Sequence, residues 1–201
     1  MRNLLQTTLL ATTVLLNSCN KSSSSDPTDE KATLLITVRD NLGNIQESAD
    51  VKLYLTEANL NTQTFQFRAT EQTDKNGFVT FTDLPANNYY YWLIEKGCRN
   101  NIGGGITSLT PIAEGINKIN VIINGKGSIK LTSTSSNPYR IYVNGQQNVD
   151  MPGKSSYEIK NLTEGAYSVR VLQLSGYVFI PTDQTYNVSL TCGSSKIITF
   201  P

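Results

Sequence analysis

Cys98 stands beside Arg99, shortly after the aromatic run Tyr89-Tyr90-Tyr91-Trp92. A neighbouring cation lowers a thiol's pKa and makes it more nucleophilic. Thiol catalysis or redox exchange would also need a base or a closely spaced second cysteine. The chain has no histidine and no CxxC pair. Without histidine, Ser-His-Asp and Cys-His sites and HExxH zinc sites are excluded. The side chain that titrates nearest neutrality is also missing as a general base. No pair of carboxylates stands out as an acid–base set. Asp40, Asn41 and Asn44, and Asp74 with Asn76, could offer oxygens to calcium. An EF-hand loop needs further ligands and a glutamate at its twelfth position, so these stretches are read as turns that bond their own backbone. The run Asn101-Ile102-Gly103-Gly104-Gly105 is followed by Ile106-Thr107-Ser108, not by the Gly-Lys-Ser/Thr that cradles phosphate. It is read as a mobile loop. The sequence is therefore expected to hold no catalytic residues, no metal and no cofactor.

The aromatic run offers binding instead. On a strand, Tyr89 and Tyr91 face one side and Tyr90 and Trp92 the other. One pair is expected in the core. The candidates for stacking on a sugar ring or a partner protein are Tyr90 and Trp92; the competing assignment makes them cross-strand packing residues. Three cysteines are present. Cys19 closes an apolar run that follows a single positive charge, Arg2. The run is too short to span a bilayer, which takes about 20 residues, and fits the h-region of a secretory signal. Leu16-Asn17-Ser18-Cys19 resembles a bacterial lipobox, which implies cleavage before Cys19 and acylation of that cysteine, typically with palmitate. An ordinary signal peptide with an incidental cysteine is the alternative. Cys98 and Cys192 remain, either as one disulfide or as two separate buried thiols.

Residues 1–18 are then expected to be signal peptide and residues 19–31 a polar, Ser-rich flexible tether. Asp26, Asp29 and Glu30 resemble, in diluted form, the acidic stretch that routes some Bacteroidetes-type lipoproteins to the cell surface. The 17 basic and 16 acidic residues nearly cancel, so no field is available to recruit nucleic acid.

From Ala32 onward the hydrophobic period is two. Leu34, Ile36 and Val38 alternate with other residues, as do Val51, Leu53 and Leu55, and Phe65 with Phe67. Strands are also expected over 89–96 and 116–123. No segment carries an amphipathic helical stripe. Turn signals fall at 40–44, 74–77 and 85–88. Asn124-Gly125-Lys126-Gly127 interrupts the pattern and is taken as a domain boundary. Beyond it, strands are expected near 129–132, 139–143, 157–159, 166–174, 186–190 and 197–200, with a hairpin at Asn144-Gly145. The fold class is all-β, with two small β-sandwiches at 32–124 and 125–201.

Two resemblances follow. Val38-Arg39-Asp40-Asn41-Leu42-Gly43, Ala49-Asp50-Val51-Lys52-Leu53-Tyr54, Thr73-Asp74-Lys75-Asn76-Gly77-Phe78, Leu84-Pro85 and Tyr89-Tyr90 resemble carboxypeptidase-regulatory-like and Cna B-type domains. These imply a transthyretin-like (immunoglobulin-like) sandwich that serves as a stalk, spacer or accessory module. The first strand, Leu34 to Val38, has no lysine for the isopeptide crosslink some Cna B-type domains form. Tyr139 to Gly145, Leu162 to Val171 and Gly176-Tyr177 resemble a PEGA-type envelope domain, with Thr163 where that family has proline. The chain is expected to be a lipid-anchored, non-catalytic binding or structural module of the bacterial outer membrane or cell surface. Its expected partner is another envelope protein, or alternatively an extracellular polysaccharide.

Overall fold

A computed structural model describes residues 30–108 and 110–201. Cys19, the expected signal segment and the tether up to residue 29 lie outside the described residues. Thirteen strands and one short helix follow in order among the described residues. The first group is β1 (Lys31–Asp40), β2 (Asp50–Tyr54), α1 (Glu57–Thr62), β3 (Glu71–Gln72), β4 (Phe78–Pro85), β5 (Tyr91–Lys96) and β6 (Arg99–Asn100). Then come β7 (Gly115–Ser133), β8 (Tyr139–Val143), β9 (Gln146–Met151), β10 (Ser156–Thr163), β11 (Gly165–Gln173), β12 (Asp183–Leu190) and β13 (Ser195–Phe200).

The protein is all-β, with two small sandwiches. In the first, β4-β1-β7 faces β3-β2-β5-β6. Alternation decides what is inside: Ala32, Leu34, Ile36 and Val38 from β1 meet Val51, Leu53, Trp92 and Ile94 across the gap. In the second, β10-β7-β13 faces β12-β11-β8-β9. Ile129 and Leu131 pack there on Ile141, Val169, Val171 and Phe200.

β7 belongs to both. Its first half runs parallel to β1, from Ala32↔Gly115 to Asp40↔Ile123. Its second half is flanked by β10, antiparallel, and β13, parallel. At roughly 3.3 Å per residue the strand is on the order of 60 Å long. The break expected at Asn124 is therefore absent, although each side has its own core. The glycines there serve close packing, not a turn. A β-carbon on Gly125 would sit 3.1 Å from Cys192 Cβ, and one on Gly127 would sit 2.7 Å from the Ser194 carbonyl oxygen.

Two further expectations are corrected. Phe65 and Phe67 lie on no strand, and Phe65 is exposed. The preceding chain turns into α1, with the Thr56 hydroxyl accepting from Asn59 N at its start and Gln63 in the left-handed region at its end. Only Phe67 returns to the core, against Tyr90. Six helical residues are too few to show a periodic stripe. Glu30 and Lys31, placed in the tether by composition, are tied to the sheet: Lys31 opens β1, and the Glu30 carbonyl accepts from Ala86 N.

Candidate functional site

Tyr90 and Trp92 are fully buried, so neither can stack on a ligand from solution. The alternation itself holds, with Tyr89 on the opposite, exposed side. The inward pair is simply the one that sequence reasoning had offered to ligands. Trp92 is the largest fully buried side chain, and its indole N–H donates to Gly105 O at 2.6 Å. The Tyr90 hydroxyl donates to Pro85 O at 2.9 Å, and burial pushes its phenol pKa up.

The acidic turns spend their oxygens locally. Asp40 accepts from the Leu42 and Asn44 amides and from the Asn44 and Gln46 side chains. Asp74 accepts from Asn76 N and Phe78 N. Both carboxyls are held below their ordinary range, Asp40 chiefly by the Asn44 side chain and Asp74 by the Phe78 N–H. Among the described residues no group of three or more acidic or cysteine side chains could hold a metal.

The glycine-rich stretch is pinned. Asn101 is buried and accepts from Ile94 N while donating to Trp92 O and Gly105 O. This loop folds back as a cover over the Trp92 indole. Cys98 is no free thiol in the structure: it is bonded to Cys192, with Cα atoms 5.5 Å apart across 94 residues of chain. The bridge links the β5–β6 turn of the first sandwich to the β12–β13 turn of the second.

Next to this bridge lies Lys126, buried on β7. Its ammonium donates to Ile102 O in one sandwich and to Thr163 Oγ1 in the other, at 2.7 and 3.1 Å. Among the described residues no carboxylate lies within 4 Å of it, and burial pushes its pKa down. Lys126 lines a cleft of about 690 Å³ at the junction, with Asn41, Asn120, Asn124, Asn161 and Tyr167. Asn120, Asn124 and Lys126 share this cleft because even-numbered residues of β7 face one side. With the strand expected to end at 123 and 124–127 taken as a boundary, neither the shared face nor the partners across the cleft were legible in the sequence.

A second surface was missed altogether. Between β11 and β12 the chain projects Tyr177, Val178, Phe179 and Ile180 into solvent. Gln173, buried at the base, binds both arms: its amide donates to Ser175 O, and its oxygen accepts from Thr182 N. Four consecutive apolar residues with no alternation, ending at Pro181, were the available signal.

No family model matches the chain, and no curated protein matches it. Among solved structures, similarity is found to a streptococcal ancillary pilin at 15% identity, over 84% of this chain and 62% of that one, with a TM-score of 0.37. The Bacillus anthracis TIE protein is similar at 18% identity, over 85% and 33%, with a TM-score of 0.35. A 3-chlorocatechol 1,2-dioxygenase from Rhodococcus opacus is similar at 12%, over 49% and 61%, with a TM-score of 0.35. The chain thus spans less than two thirds of each of these proteins. Likeness at this level carries no argument about function, and the fold stands on the strand registers above.

Proposed function

We propose that the protein is a non-catalytic, lipid-anchored module of a bacterial cell envelope that engages another envelope protein. In this reading Cys19 carries the lipid, residues 20–29 form the tether, and two units, a Cna B-like sandwich up to Asn124 and a PEGA-like sandwich from Gly125, form one stiff body. The observation that carries it is β7. One strand shared by two cores leaves no linker between them, and Cys98–Cys192 and Lys126 tie the flanking turns together. Such a body suits a spacer that presents a binding end at a fixed distance. The polar side chains that could do chemistry are largely committed to turns and ion pairs.

The test uses the full chain expressed in a bacterium with an outer membrane and fed an alkyne-labelled palmitate. Label on the wild type and none on Cys19→Ser, with the variant released to the soluble fraction, is the expected result. Equal labelling of both would overturn the anchor. A tagged chain from Lys31 onward, incubated with solubilised envelope, is expected to retain one enriched membrane protein. No enrichment would overturn the protein partner.

A second reading, glycan binding, rests on the junction cleft, where four asparagine amides and Tyr167 present donors and acceptors around Ile122. Retardation of the protein in polysaccharide-containing gels, lost in Asn120→Ala/Asn124→Ala, would favour it.

A further inference from the structure

Single exposed apolar residues are ordinary, but a consecutive run of them marks a contact surface. Val178, Phe179 and Ile180 are 86%, 91% and 82% exposed, and Tyr177 is half-exposed. Val178 and Phe179 are the two most exposed large apolar side chains among the described residues. We propose that this loop is a lipid-docking element, which seats its apolar tip in the interfacial layer of a bilayer.

The loop is held out rather than left slack. Besides its two side-chain bonds, Gln173 donates its backbone N–H to Thr182 O at 2.8 Å. Leu174 N donates to Pro138 O, which fixes the outgoing arm to the neighbouring β7–β8 connection. Gly176 has φ +78, which disfavours any other residue, and lies against the Asn137 side-chain amide, which a β-carbon there would have to displace. A buried glutamine, a left-handed glycine and an asparagine together aim four apolar side chains away from the protein.

Charge favours lipid. From Val171 to Thr182 the sequence holds no charged residue. The flanking charges, Arg170 and Asp183, are paired with each other by two bonds of 2.8 and 2.6 Å. No unpaired ion must therefore lose its water when the tip is buried. The loop Pro152–Ser155 joins the same β7–β8 connection through Ser135, whose carbonyl accepts from Lys154 N. It carries one exposed cation, Lys154, which has no carboxylate within 4 Å among the described residues. That charge would face lipid headgroups.

Shape and area argue the same way. A stable protein interface takes roughly 800 Å² from each partner and 20–30 residues. Four residues on a convex tip, beside polar Ser135, Ser136 and Asn137, supply much less, whereas a bilayer requires no matching relief. Depth follows from the backbone. Among the described residues no backbone hydrogen bond is found for Tyr177 to Ile180, and each orphaned amide would cost free energy in hydrocarbon. Seating is thus limited to the headgroup–acyl boundary, about 5–10 Å deep, where water remains. Because β1 starts and this loop ends at opposite ends of β7, the site is separate from any N-terminal anchor and stands whether or not Cys19 is acylated.

The test is flotation of the chain from Lys31 to Pro201, which holds every described strand and both cores, with vesicles of phosphatidylcholine alone or mixed with phosphatidylglycerol. Wild-type protein is expected to float with both, and better with the anionic mixture. Phe179→Asp/Ile180→Asp is expected to lower the partition by about tenfold or more without moving the unfolding midpoint. Lys154→Gln should remove only the preference for phosphatidylglycerol. Wild-type protein that stays out of both vesicles, or a double variant that floats equally well, overturns the assignment. So does an apolar protein pocket, seen as a solubilised membrane protein that the wild type retains and the double variant loses while neither floats.

Discussion

The glycine loop after β6 and the apolar loop after β11 use one device to opposite ends. Each is gripped at its base by a single buried amide, Asn101 in the first sandwich and Gln173 in the second. Asn101 satisfies Ile94 N, Trp92 O and Gly105 O, and the small residues Gly103 to Gly105 let the loop lie down on the core. Gln173 satisfies Ser175 O and Thr182 N, and the bulky residues Tyr177 to Ile180 leave the loop standing in water. A side-chain amide that offers both a donor and an acceptor can replace the ladder bonds a strand would have supplied. Whether the loop then closes the protein or opens it to a partner is set by the residues beyond the clamp.

Breaking the clamps should separate the two cases. Asn101→Ala orphans Ile94 N and Trp92 O inside the first core, where each unsatisfied group costs about 1–3 kcal/mol. A loss of about 3–5 kcal/mol is expected in urea unfolding, with altered near-ultraviolet dichroism from Trp92. A loss under about 1 kcal/mol would mean that the loop does not seal the core. Gln173→Ala frees Ser175 O and Thr182 N next to water, which can replace the lost partners. The expected loss is about 1–2 kcal/mol, with amide exchange accelerated from Ser175 to Thr182 and unchanged near Trp92.

Filling the loops differently sharpens the contrast. Phe179→Ser removes a side chain that touches little in the folded chain, so stability should stay within about 0.5 kcal/mol. A large loss in thermal or urea unfolding would show that the tip packs on its own protein and is not a presented surface.

The strand pattern was legible because a half-buried sheet enforces alternation, and β1, β7 and β8 display it plainly. The Asn144-Gly145 hairpin was legible too, with both residues at positive φ. Which side of β5 faced inward was not, since Tyr89/Tyr91 and Tyr90/Trp92 are chemically alike and only the opposing layer chooses between them. The glycines at 125 and 127 misled for a related reason. Glycine serves a turn or a close approach equally well, and here the crowding comes from Glu164, Cys192 and Ser194, far along the chain. Lys126 and Gln173 gave no local signal, because a polar residue's burial shows only when its distant partners are in place.

The smallest effect separates the two sandwiches by their carboxylates. Asp40 and Asp74 are depressed by amides within their own turns. Asp150 and Asp183 are depressed by guanidinium partners across strands, Arg140 and Arg170. In all four the folded value lies below the unfolded one. Each therefore adds stability that is full above the ordinary carboxylate range and is lost as pH falls through the lowered value, because the unfolded chain takes up its proton first. Salt distinguishes the causes. Ion pairs at an exposed sheet face are screened at high ionic strength, where the Debye length falls to about 3 Å at 1 M. Short N–H bonds inside a turn are set by covalent geometry and are screened little. Carboxyl-carbon titrations by NMR at low and high salt should show Asp150 and Asp183 rising towards the ordinary range, while Asp40 and Asp74 stay low. If all four rose together, long-range charge would be the common cause. If none rose, the arginine pairs would owe their strength to their paired hydrogen-bond geometry, and the second sandwich would resist acid in the same way as the first.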